Sequence, residues 1–99
     1  MGKTELFAAV VEVFDRPGGW YYVAVPENLC KQYHDLQDRG LIAVTASAKF
    51  GDAVTAAWQT SLLPMGDGSH FLALPAKVRN KLGIGTGDCV EIEFSIRGR

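Results

Sequence analysis

The sequence contains few residues that could build a metal centre or a disulfide framework. Its 99 residues include two cysteines and two histidines. Cys30 and Cys89 are too few and too far apart for a zinc site or a set of disulfides, so both are predicted to be buried or half-buried apolar side chains. His34 and His70 do not form a motif that pairs two histidines one helical turn apart. We therefore expect no metal and no other cofactor.

The sequence also lacks an excess of charge of one sign and a long apolar run. Ten Lys and Arg stand against eleven Asp and Glu, a net charge of −1, whereas proteins that bind phosphate backbones usually carry a basic surplus. No run approaches the roughly 20 apolar residues that span a bilayer. The apolar N-terminal segment is interrupted by Glu12, and no signal cleavage site stands out. We expect a cytoplasmic chain without a membrane partner.

No catalytic constellation is visible either. No serine lies in a nucleophile elbow, and no pair of carboxylates has catalytic spacing. The glycine-rich stretch "GIGTGD" follows a predicted helix and precedes a strand, whereas a dinucleotide-binding loop follows a strand and opens a helix. Gly83 is therefore interpreted as a helix cap, and the other glycines as turn residues. We expect that the protein is not an enzyme.

The sequence does contain clear strand patterns. Val90, Ile92, Phe94 and Ile96 alternate with polar residues and are predicted to face a core. The predicted strands at residues 4–14 and 20–25 are expected to form a hairpin across the turn at 15–19, where proline and glycine favour a reversal of the chain. The predicted strands cover residues 4–14, 20–25, 41–50, 53–63, 71–74 and 89–96.

Two helices are predicted, each opened by a proline. Pro26 begins the first, which carries the apolar stripe Leu29, Tyr33 and Leu36 and is expected to end at Gly40. The second begins at Pro75, buries Val78 and Leu82, which lie one turn apart, and ends at Gly83.

The two halves of the chain resemble each other. "YVAVP" at residues 22–26 matches "FLALP" at residues 71–75 position for position, and a helix, a glycine and an apolar strand follow each. This is an internal repeat of about 49 residues. It predicts one barrel domain over residues 1–99, with half-repeats at about 1–50 and 51–97 related by a pseudo-twofold axis. The fold class is mainly β, a β-barrel with two short helices.

The C-terminal half resembles known families. "LPAKVRNKLGIGTGDCVEIEF" is similar to the pattern of AbrB, MazE and SpoVT swapped-hairpin domains, which usually build a barrel from two chains. "LLPMGDGSHFLALPAKVR" more closely resembles the bacterial family called domain of unknown function 1905, and this resemblance spans nearly the whole chain. It implies a double-split β-barrel that is monomeric and has no established activity.

Two functional hypotheses follow. The first is a non-catalytic binding or interaction module, whose partner is an unidentified protein or small molecule. Trp20, Tyr21 and Tyr22 are adjacent on one strand and cannot all point into the core, so at least one aromatic ring should reach the other face. Trp20 and Tyr21 are the candidate contact residues.

The alternative is an AbrB-like nucleic-acid-binding protein, which the resemblance implies and the net charge does not favour. Its candidate contacts are Lys77, Arg79 and Lys81 on the second helix, with Arg97 and Arg99 on the tail. The three helical residues are spaced by two, so they spread around the helix and do not form one stripe. Clustering of these residues on one surface would favour this alternative.

Overall fold

The computed structural model describes residues 4–15, 20–33, 35 and 39–97. Within these ranges the chain forms eight strands and two helices. In chain order they are β1 (Thr4–Val10), β2 (Glu12–Val13), β3 (Tyr21–Val25), α1 (Glu27–Lys31), β4 (Ile42–Phe50), β5 (Ala53–Val54), β6 (Trp58–Pro64), β7 (His70–Ala73), α2 (Ala76–Leu82) and β8 (Cys89–Ile96).

The strands form one antiparallel sheet that curls into a barrel. Its order is β1-β8-β4-β6-β7-β3-β2, and β5 pairs with β4. β1 and β2 are successive parts of the N-terminal strand and are separated only by Val11, so both ends of this order lie on the same strand. The prediction of a mainly β barrel with two short helices is confirmed.

The strand pairing has the symmetry of the sequence repeat. Val23 pairs with Leu72, its repeat equivalent, and on either side Tyr22 pairs with Ala73 and Ala24 with Phe71. Tyr22 thus faces the repeat equivalent of Ala24, and Ala24 faces that of Tyr22, so the pairing is reciprocal about Val23 and Leu72. β4 and β8 pair in the same reciprocal way. A pseudo-twofold axis therefore passes through both strand pairs.

The core lies inside the barrel and is filled by alternate residues of the strands. Ile42, Val44, Ala46 and Ala48 of β4 are all buried and alternate with more exposed residues. Each fully buried branched or aromatic side chain stabilises the fold by about 1.5–3 kcal/mol relative to exposure. The largest fully buried side chains are Phe94, Ile42, Leu62, Leu72, Leu74, Ile92, Val11, Val23, Val44 and Val90.

Two predicted strands are each divided in the structure. The N-terminal strand breaks at Val11, whose N–H donates to Asp88 O and whose carbonyl accepts from the Gly87 N–H. β1 consequently pairs with β8, and only β2 pairs with β3 as the predicted hairpin required. The strand predicted at 53–63 breaks at Thr55, whose N–H and Oγ1 both bond to the backbone of Ala48.

The first helix is shorter than predicted. α1 ends at Lys31, and the Tyr33 N–H then donates to Cys30 O, which closes a turn in place of a further helical bond. Gly40 lies in the turn that leads into β4, with φ of +84°, a backbone conformation that favours glycine. His34, Leu36 and the turn residues 16–19 lie outside the described residues.

The second helix agrees with the sequence pattern. Val78 and Leu82 are buried, and Gly83 adopts the left-handed conformation with φ of +68° while its N–H donates to Arg79 O. A residue in this left-handed conformation ends the helix, and glycine adopts it without the strain that a side chain would cause.

The two cysteines have different environments. Cys30 is buried, and burial together with the nearby Glu27 charge raises the pKa of its thiol to about 11. Cys89 is exposed, so the prediction that it is buried or half-buried is wrong. Cys89 shares the outward face of β8 with Glu91 and Glu93, whereas the buried residues alternate with them.

Tyr33 should ionise later than an ordinary tyrosine. Burial, followed by its hydrogen bond to Glu5 Oε2 at 2.5 Å and the Glu5 charge, raises its pKa to about 12. A group whose pKa is raised on folding contributes stability below its unfolded pKa, near 10, and loses it as the pH rises through the folded value. We expect stability to fall between about pH 10 and pH 12.

A phenolate absorbance titration compared with Tyr33→Phe tests this expectation. The difference between the two titration curves isolates Tyr33 from the other two tyrosines. A difference curve with its midpoint near pH 10 would contradict the hydrogen bond to Glu5.

Candidate ligand-binding groove

A groove opens where β6 and β7 separate. Their pairing runs from Pro64 and His70 to Leu62 and Leu72, and there it stops. Beyond that point the Leu74 N–H donates to Tyr21 O, across to β3. The resulting space has a volume of about 490 Å³ and is lined by Trp20, Tyr21, Trp58, Gln59, Thr60, Ala73, Leu74, Pro75 and Arg79.

Three aromatic side chains line this groove. Tyr21 lies two residues from the buried Val23, on the inward-facing side of β3, and Trp58 lies on the same side of β6 as the buried Leu62. Both are half-buried and pack against the core. Trp20 is 58% exposed. The groove is therefore the rim of the core, where aromatic rings remain in contact with solvent.

Tyr22 points to the opposite face of β3. Its ring stacks on Phe14 with centroids 4.2 Å apart, and both rings meet Phe71 edge to face. Burial, then the Glu12 charge, raises the pKa of Tyr22. Alternation along β3 thus sends Tyr22 to a covered cluster and Tyr21 to the groove, while Trp20, which precedes the strand, also lines the groove.

Arg79 is held in place at the groove by two contacts. Its Nε donates to Leu74 O at 2.9 Å, and its Cζ lies 4.0 Å from the centroid of the Tyr21 ring. A guanidinium over an aromatic face is attracted by the ring quadrupole. These two contacts therefore fix the orientation of the guanidinium.

A second groove lies on the other side of Trp58. Its volume is about 590 Å³, and it is lined by Val54, Thr55, Ala56, Ala57, Trp58, Lys77, Val78, Asn80 and Lys81. Lys77 and Lys81 are one turn apart on α2, while Arg79 lies on the side of the helix that lines the first groove. Trp58 is common to both grooves.

The family to which the chain belongs follows from its sequence. A family model described as "Domain of unknown function (DUF1905)" matches residues 7–94. The chain belongs to the DUF1905 family. None of the curated proteins compared with the chain matches it. Every residue that lines either groove lies inside the part that matches the DUF1905 model.

The basic residues predicted from the sequence have separate environments in this DUF1905 chain. Lys77 and Lys81 line the second groove, and Arg79 lines the first. Arg97 donates from Nε to Val44 O and from Nη2 to Thr60 O, at 3.1 and 2.8 Å. Arg99 lies outside the described residues.

Trp58, which lines both grooves, is not among the contact residues predicted from the sequence. Its position in the strand could have indicated its role. Trp58 begins the strand on which Leu62 is buried and lies on the same face, so it points inward at the rim of the core. Gln59 and Thr60 were not predicted to line a site either, because no sequence pattern shows where two paired strands separate.

Other kinds of site find little support in the described part of the DUF1905 chain. Within residues 4–15, 20–33, 35 and 39–97, no three His, Cys, Asp or Glu side chains come together in a group that could hold a metal ion. Over the same ranges, no helix is long and apolar enough to cross a membrane.

Proposed function

We propose that this domain is a non-catalytic binding module and that a small molecule binds in the groove between β6 and β7. The observation that carries the proposal is the meeting of Trp20, Tyr21 and Trp58 with an oriented Arg79. Ligand sites are typically concave, about 300–1,000 Å³ in volume, and lined by apolar and aromatic side chains with few polar groups. The groove has these properties.

The chemistry of the lining residues supports binding over catalysis. The groove residues include no His, Cys, Asp or Glu, so a nucleophile there would have no neighbouring base of the usual kind. The hydroxyl of Thr60 and the amide of Gln59 can orient a ligand by hydrogen bonds.

Titration with a neutral aromatic probe, 2-naphthalenemethanol, followed by amide and indole NMR signals, tests the proposal. We expect the indole N–H signals of Trp20 and Trp58 and the amide signals of Ala73 and Leu74 to shift together. Trp20→Leu should weaken binding about threefold to tenfold, since an aromatic pair contributes ~0.5–1.5 kcal/mol beyond area burial.

Leu6→Ala is the matched control, because Leu6 is an exposed apolar residue on β1 outside the groove. It should bind the probe as the unaltered protein does. Signals at the groove that stay unchanged with this alcohol and with charged probes of the same ring, all at millimolar concentration, would refute the proposal. A DNA duplex added at low salt, where phosphate contacts are strongest, is expected to leave these signals unchanged.

A further inference from the structure

We infer that the ligand of this groove is a small aromatic anion, a planar ring that carries a carboxylate or a phosphate group. The inference rests on the proposed function, because it names the ligand class of the same groove. It is argued from three features: the available edge of Arg79, the charges around Trp58, and the difference between the two ends of the repeat.

Arg79 presents a hydrogen-bonding edge that suits a planar anion. Its Nε is occupied by Leu74 O, and no described residue accepts a hydrogen bond from its two Nη atoms. Two parallel N–H groups match the spacing of a carboxylate or phosphate, and such bidentate pairs are stronger than neutral hydrogen bonds. Since the Tyr21 ring and Leu74 O fix the guanidinium, little conformational freedom is lost when an anion binds.

The charges around Trp58 have one sign. Arg79 is the charged residue of the first groove, and Lys77 and Lys81 are those of the second. Neither groove includes Asp or Glu among its lining residues, although acidic residues outnumber basic ones in the chain. A cationic ligand would lie beside these groups without a compensating carboxylate. A negatively charged ligand is favoured.

The aromatic residues indicate what the anion is attached to. Trp20, Tyr21 and Trp58 offer ring faces and edges at the same groove as the guanidinium. A planar ring would stack against an indole, and stacked or edge-to-face ring pairs contribute beyond the burial of area. An aliphatic anion would use Arg79 and leave these rings exposed to water. A ring that carries an anionic group would contact both Arg79 and the aromatic side chains.

The repeat shows that this chemistry is confined to one end of the barrel. With the offset of about 49 residues, the equivalent of Tyr21 is His70, and the equivalent of Arg79 is Cys30. Both equivalents are buried, and His70 donates from Nε2 to Gly40 O. The fold therefore does not require an aromatic–guanidinium pair at this position. Its presence at one end calls for a different explanation, which ligand binding supplies.

Four probes with the same ring and different charge test the inference. They are 2-naphthoate, 2-naphthyl phosphate, neutral 2-naphthalenemethanol and cationic 2-naphthylmethylamine, each titrated into the unaltered protein by NMR. We expect at least one of the two anions to bind about tenfold more tightly than the alcohol, a difference of ~1.4 kcal/mol, and the amine to bind least. The tighter anion identifies carboxylate or phosphate as the preferred group.

Variants of Arg79 test whether this residue causes the preference for an anion. Arg79→Gln should lower the affinity for the preferred anion about tenfold and change that for the alcohol less than twofold. Arg79→Lys should recover only part of the loss, because an ammonium lacks the planar fork. Lys31→Gln removes an exposed positive charge on α1 outside both grooves and should leave all affinities unchanged.

The outcomes separate the two proposals. If the alcohol shifts the groove signals and binds as tightly as both anions, the inference fails and the proposed binding function stands. If no probe shifts these signals, the binding function itself fails. Because the comparison of the four probes uses the unaltered protein, it decides the matter even if an Arg79 variant folds poorly.

Discussion

Replacing Leu72 with alanine is expected to lower the free energy of unfolding by about 2–5 kcal/mol, the usual cost of a Leu to Ala change in a core. Leu72 is 0% exposed. It lies on β7 and pairs with Leu62 on one side and Val23 on the other. The side chain is therefore at the centre of the pseudo-twofold packing, where three strands cannot close the cavity without shifting one another.

A urea or thermal unfolding measurement on Leu72→Ala and Leu6→Ala checks this expectation. The two substitutions are chemically identical, but Leu6 is 69% exposed on β1, so its change should stay within about 0.5 kcal/mol. In a domain of this size each kcal/mol lowers the melting temperature by about 4–8 °C, so a loss of about 2 kcal/mol or more should make Leu72→Ala melt at least about 8 °C lower. Equal stability of the two variants would contradict the barrel core described above.

The parts of the fold that local physics decides could be predicted from the sequence. The alternation in β4 and β8 and the proline-to-glycine limits of α2 depend on residues within one element, and the structure agrees with them. The breaks at Val11 and Thr55 could not be predicted, because each depends on backbone partners distant in sequence or across a turn, Asp88 and Ala48. The early end of α1 could not be predicted either, because the apolar periodicity of the sequence continues beyond the last residue of the helix.

The candidate site shows the same limit. Alternation within one strand indicated that an aromatic ring near Trp20 would remain exposed, and 58% of Trp20 is exposed. Arg79 was selected only because it resembled a basic residue of a DNA-binding family. Its environment depends on Leu74 O and Tyr21, which the separation of β6 from β7 brings to it. The sequence names residues with suitable chemistry, whereas tertiary pairing determines which of them meet.

Arg97→Gln is expected to lower the free energy of unfolding by roughly 2–3 kcal/mol. Its guanidinium joins the Val44 and Thr60 carbonyls of two neighbouring strands, and a hydrogen bond that involves a charged group contributes about 1.5–3 kcal/mol. The variant would leave both carbonyls without this partner. Since Thr60 also lines the first groove, the loss should loosen one wall of that groove as well.

Lys77→Gln is the matched comparison for Arg97→Gln, since both remove one positive charge from the residues once grouped as nucleic-acid contacts. Lys77 is exposed on α2, so its stability change should remain within about 0.5 kcal/mol. Unfolding of both variants in low and high salt distinguishes a structural arginine from a surface charge: hydrogen bonds to partly buried carbonyls are screened little, and exposed charges are screened strongly. An Arg97→Gln variant as stable as Lys77→Gln would show that the hydrogen bonds of Arg97 do not stabilise the fold. Arg97 would then again be a candidate contact for an anionic partner.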